Sequence, residues 1–146
     1  MPKVWIVMGN AQVGKSSAIR ALTGVYRSDH TNVQTVHGRL NGIFVQVRSL
    51  QEKGIHPHDF INARDDDGYI LLALRVNQAG GCPNGLSYIQ AFTGNNWMIN
   101  RVTVLGTNNL PYNLPQGIPN PLYLRNSGNI PANQTAHRIR NAWDWL

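Results

Sequence analysis

The chain has 146 residues, of which 42% are hydrophobic and 14% charged. That composition excludes a disordered tail and suits one packed domain spanning 1–146. Thirteen Lys and Arg against seven Asp and Glu give a net charge of +6, which favours anionic partners. The single cysteine, Cys82, excludes an internal disulfide framework and fits a reducing compartment.

The elements follow from pattern and punctuation. Val4–Met8, "VWIVM", is a continuous apolar run of the kind buried on both faces of a sheet. Lys15–Leu22 has helical composition and stops at Thr23-Gly24. The polar stretch 25–32 reads as a loop. Residues 33–49 read as a β-hairpin turning at Asn41-Gly42, with Ile43, Val45 and Val47 on one face of its second strand.

A short helix is expected over His58–Arg64, closed by Asp65-Asp66-Asp67-Gly68, and a second buried strand over Tyr69–Val76. A helix over Leu86–Phe92, a strand over Arg101–Leu105 and a short strand over Leu122–Leu124 follow. An amphipathic helix over Ala132–Leu146 carries Ile139, Trp143 and Leu146 on one side. Strands alternating with helices predict a three-layer α/β domain, its central sheet mainly parallel and flanked by helices. The first ten residues show no secretory leader pattern, and no run is long enough to span a membrane. The expectation is a soluble, cytoplasmic protein.

The chemistry concentrates in Gly9-Asn10-Ala11-Gln12-Val13-Gly14-Lys15-Ser16-Ser17, which fits G-x-x-x-x-G-K-[ST] and lies between a strand and a helix. Glycines let the backbone fold round an anion with its N–H groups pointing inward at a helix N-terminus. Lys15 is placed to reach the β- and γ-phosphates, and Ser16 to hold Mg²⁺. The expected ligands are ATP or GTP or their diphosphates.

The segment "GNAQVGKSSAIRALTG" resembles the P-loop NTPases, and among them the small Era- and Ras-like GTPases, which often read G-x-x-N-V-G-K-S-S-L-x-N-A-L-T-G. The resemblance implies a P-loop NTPase-like fold and hydrolysis of the β–γ bond. It also implies a switch threonine at Thr31 or Thr35 and a base-contacting loop at Asn126–Asn129. Two family motifs are absent. Where D-x-x-G should stand is Arg48-Ser49-Leu50-Gln51, and where N/T-K-x-D should stand is Gly106-Thr107-Asn108-Asn109-Leu110. The base is therefore undetermined, and no apolar strand ends in the acid of a Walker B motif.

Asp29, Glu52 or the triple Asp could replace that acid. Arg48 and Arg75 end predicted strands on the ligand side and are candidates for neutralising phosphate charge; Gln51 is a candidate for orienting water. The catalytic set expected from sequence is thus Lys15, Arg48 and Gln51, with a protein partner able to complete it. The alternatives are a nucleotide-binding switch or scaffold with weak turnover, in possible contact with nucleic acid, and a P-loop kinase using "RDDDG". Trp143 and Trp145, with Arg138 and Arg140, offer a basic aromatic surface for nucleic acid, against packing of Trp143 on the sheet and an interface role for Trp145. His56 and His58 are too closely spaced for a helical metal pair.

Overall fold

A computed structural model describes all 146 residues. Six strands, β1 (Lys3–Met8), β2 (Asp29–Thr35), β3 (Gly38–Gln46), β4 (Tyr69–Leu74), β5 (Met98–Leu105) and β6 (Leu122–Leu124), form one sheet. Their order is β2-β3-β4-β1-β5-β6, and only β2 runs antiparallel to its neighbour. The helices are α1 (Lys15–Thr23), α2 (Pro57–Arg64), α3 (Gly85–Gly94) and α4 (Ala132–Trp143).

The central strands are apolar throughout because both faces are covered. Val4, Ile6 and Met8 of β1 and Ile70, Leu72 and Leu74 of β4 pack with Phe60 of α2 and Tyr88, Ile89 and Phe92 of α3. The alternate residues Trp5, Val7, Leu71 and Ala73 pack with Ile19 of α1 and Ile139 and Trp143 of α4. A period of two thus sends one run of sequence into two cores. The α/β class and the mainly parallel sheet expected from sequence are observed. No helix is long and apolar enough to cross a membrane.

The hairpin differs from expectation. Its turn is Val36-His37, between the paired Thr35 and Gly38, and β2 begins at Asp29 inside the stretch read as a loop. Asn41-Gly42 instead makes a bulge within β3, where the register slips between Thr31/Ile43 and Val33/Leu40. Gly42 takes a left-handed φ of 69°, and its N–H donates to Asn32 Oδ1 at 2.9 Å. Two long-range bonds outweigh the local turn preference: Val36 N–H donates to Asp144 O and Leu146 N–H to Gln34 O. These bonds dock the C-terminal residues on the outer edge of β2.

That docking also ends the last helix early. α4 stops at Trp143, with Asp144 left-handed at φ 60°, and Trp145 turns inward to bridge Thr35. Trp145 is buried against Trp5 and Trp143, their ring centroids 5.6 and 5.2 Å away. Packing of Trp143 on the sheet is thus observed, and burial of Trp145 leaves no exposed aromatic surface of these two rings. Arg140 donates to Ala21 O at 2.6 Å, joining α4 to α1.

Candidate phosphate-binding site

Parallel strands ending at one edge of the sheet bring four chain segments together there. The ends of β1, β3, β4 and β5 lead into residues 9–14, 47–51, 75–77 and 106–109. Gly9 N–H donates to Leu74 O at 3.0 Å, so the loop leaves β1 while still tied to β4. Gln12 and Gly14 are left-handed, at φ 65° and 93°, which folds the backbone into a concave turn before α1. No side chain caps α1, and the N–H groups of Lys15, Ser16 and Ser17 find no acceptor within the protein. Three free donors thus stand at the positive end of the helix dipole, where a negative charge is favoured.

Neighbouring side chains brace the loop from both sides. Asn10 Oδ1 accepts from Asn77 N–H at 3.2 Å, and Ser127 Oγ donates to Val13 O at 2.9 Å. Ser127 and Gly128 thus bring residues 126–129, where the resemblance implied a base-contacting loop, against the 9–14 turn. Gly106, at φ 80°, lies so close that an added Cβ would overlap Val13 Cγ1. Gly106→Ala is expected to cost about 2 kcal/mol, from strain at positive φ and displacement of Val13. Its Tm, compared with wild type by calorimetry, should fall by about 6 °C.

Lys15 is buried, 5% exposed, and its Nζ donates to Asn10 O at 2.9 Å. Glu52 Oε1 lies 3.9 Å from the same Nζ. Burial lowers the Lys15 pKa; Glu52 partly restores it and Arg75 lowers it further. An ammonium held this way, with one carbonyl and one half-exposed carboxylate for company, is short of negative charge. The Nε of Arg75 is likewise buried without a partner.

Comparison with family models, curated proteins and solved structures finds no match.

Two members of the expected catalytic set are placed differently. Arg48 is exposed and lines a separate cavity; it pairs with neither Glu52 nor an aspartate, and Arg75 is the guanidinium that acts on Lys15. The Gln51 amide is fully buried and committed. Nε2 donates to Arg75 O at 3.1 Å and Pro83 O at 3.2 Å, while Oε1 accepts from Arg75 N–H at 3.0 Å. Both Gln51 Nε2 protons are taken up, and the buried amide ties Arg75 to Pro83.

The acids sort as clearly. Asp29 Oδ1 accepts from His30 N–H, Asp65 Oδ1 accepts from Trp97 Nε1, and Asp67 pairs with His30 and Arg64. Asp65 and Asp67 thus tie structure together rather than standing free in solvent. Of the candidate acids, Glu52 is the one brought to Lys15. Thr31 and Thr35 are strand residues of β2, with Thr35 Oγ1 donating to Gly38 O, and neither hydrogen-bonds to residues 9–17. Sequence reading named Glu52 and Arg75 as candidates; it missed the bracing of Val13 by Ser127. No local pattern could reveal a contact between residues 114 positions apart.

For Mg²⁺ the protein supplies the Ser16 hydroxyl. Ser16 Oγ sits 3.2 Å from Val47 O at the end of β3, and no cluster of three His, Cys, Asp or Glu residues is present. This donor set fits Mg²⁺, which keeps several waters and takes most remaining ligands from phosphate oxygens.

Proposed function

We propose that the protein binds a purine nucleoside di- or triphosphate with Mg²⁺ through Gly9–Ser17 and slowly hydrolyses the β–γ bond of the triphosphate. The observation that carries this reading is the unpaired N–H array of Lys15, Ser16 and Ser17 beside a buried ammonium. The resemblance of 9–24 to the P-loop NTPases supports it independently, within a three-layer P-loop-like domain.

Phosphate oxygens entering the turn take the N–H groups and draw Lys15 Nζ away from Asn10 O and Glu52. Arg75 adds a second positive charge beside them. Ser16 would help to hold a Mg²⁺ ion, which would supply neutralisation of the charge on the leaving diphosphate. Glu52, released from Lys15, accepts a proton from the attacking water as the new P–O bond forms. The bridging oxygen leaves with the diphosphate.

Phosphate release from γ-labelled ATP and GTP, with and without Mg²⁺, tests turnover and base choice together. Glu52→Gln should slow release about 100-fold at saturating nucleotide while leaving affinity within a few-fold. Unchanged turnover would remove Glu52 from the chemistry.

The commitment of Gln51 to Arg75 and Pro83 favours a second reading, a nucleotide-dependent switch or scaffold with little turnover. Saturable binding without phosphate release would select it. ATP and GTP remain equal candidates, because Thr107–Leu110 offers no acid to read guanine.

A further inference from the structure

A cavity of about 400 Å³ opens between the α1–β2 connection and the end of β3, and its lining includes Val47, whose carbonyl accepts from Ser16 Oγ. Four cations line it: Arg20 from α1, Arg27 from the connection, and Arg48 and Lys53 from the segment after β3. No acid lines it, and none of the four enters an ion pair. The acids nearest in sequence are engaged elsewhere, Asp29 on His30 N–H and Glu52 on Lys15. Arg20 alone has a side-chain bond, from Nε to Tyr26 O at 3.3 Å.

Four of the thirteen Lys and Arg residues thus share one concavity without neutralisation. Like charges so grouped repel one another in the free protein and create a positive field that a polyanion relieves. Tyr26, also in the lining, is 74% exposed, far more than packing would leave a large aromatic. Cations that track a phosphate chain, combined with an open ring on which a base can stack, are the elements of single-strand recognition. An acidic peptide would use the charges but not the ring. An isolated phosphate would need one or two of the cations, not four.

The geometry points to this cavity as a binding site for single-stranded nucleic acid, separate from the phosphate loop and reached from the same edge of the sheet.

The test is fluorescence anisotropy of a labelled 12-residue oligothymidylate over a range of salt. Four phosphate contacts predict a slope of about −3 for log affinity against log salt, at roughly 0.7 per neutralised phosphate. The exposed double substitution Arg27→Glu/Lys53→Glu should weaken binding at least tenfold and about halve that slope. Tyr26→Ala should weaken it about tenfold with the slope unchanged, as loss of stacking requires. Lys15→Met should retain oligonucleotide binding, which separates this site from the nucleotide reading. Unaltered affinity in the double variant would overturn the proposal. So would equal competition by polyglutamate of matched charge, together with indifference to Tyr26→Ala, because that marks a surface for acidic protein.

Discussion

Replacing Lys15 by Met is expected to abolish nucleotide-induced thermal stabilisation while leaving the nucleotide-free protein as stable as wild type or more so. A ligand at 100 times its dissociation constant stabilises the native state by about 2.7 kcal/mol, which raises the Tm of a chain this size by about 8 °C. Removing the ammonium takes a charge-assisted contact from the phosphates, and affinity should fall at least 100-fold. The opposite sign in the free protein follows from burial. Lys15 is 5% exposed, its charge is disfavoured by desolvation, and Glu52 at 35% exposure can return to water when the lysine is gone. A Met side chain of similar length fills the space without a charge to desolvate.

The pH dependence carries the same sign. A lysine whose folded pKa lies below its unfolded value of 10.5 sheds its proton more readily in the native state. Stability is then reduced while Lys15 is charged and recovers as pH rises from the folded value towards 10.5. Wild type should gain stability over that alkaline window relative to Lys15→Met. Parallel calorimetry at neutral pH and near pH 9.5 gives this comparison. A large nucleotide-induced shift surviving in Lys15→Met would remove the phosphate-loop assignment itself.

The turn between β1 and α1 is legible in the sequence because every feature it needs is contiguous. An apolar strand, two glycines, a lysine and a serine determine the turn and the helix that follows with little help from the rest of the chain. The central strands were equally plain, since "VWIVM" and "YILLAL" are apolar at every position and only a sheet covered on both faces accommodates such runs. The hairpin is present, but its turn falls at Val36-His37, where the C-terminal residues dock on β2, and not at Asn41-Gly42, a strong local turn signal. Burial of Trp145 belongs to the same docking, through the left-handed Asp144 that turns the chain inward. The basic cavity was hidden for a different reason. Arg20, Arg27, Arg48 and Lys53 are spread over 34 positions, and only the placement of β3 beside the α1–β2 connection gathers them.

Gln51→Leu separates a structural glutamine from a catalytic one. A water-orienting role would predict lost turnover with unchanged stability. The observed bonding predicts the reverse order of effects, because Leu leaves Arg75 N–H, Arg75 O and Pro83 O without their partner in a buried site. Each buried orphan costs about 1–3 kcal/mol, and partial relaxation brings the sum to about 3 kcal/mol, a fall in Tm of about 10 °C. Nucleotide affinity should weaken only a few-fold, through loosening of Arg75 beside Lys15. Gln51→Glu sharpens the distinction. A carboxylate can still accept from Arg75 N–H, but it presents lone pairs to two carbonyls and buries a charge, so it should destabilise more than Leu at neutral pH. Burial raises the pKa of such a carboxyl, and the protonated form can donate again to one carbonyl. The added penalty should therefore appear as pH rises above about 4.3 and diminish as pH falls towards that value. Denaturant titrations of both variants at pH 5 and pH 7.5 measure this directly. Equal stability of Gln51→Glu and wild type at both pH values would show that the amide is not the clamp between the β3–α2 segment and β4.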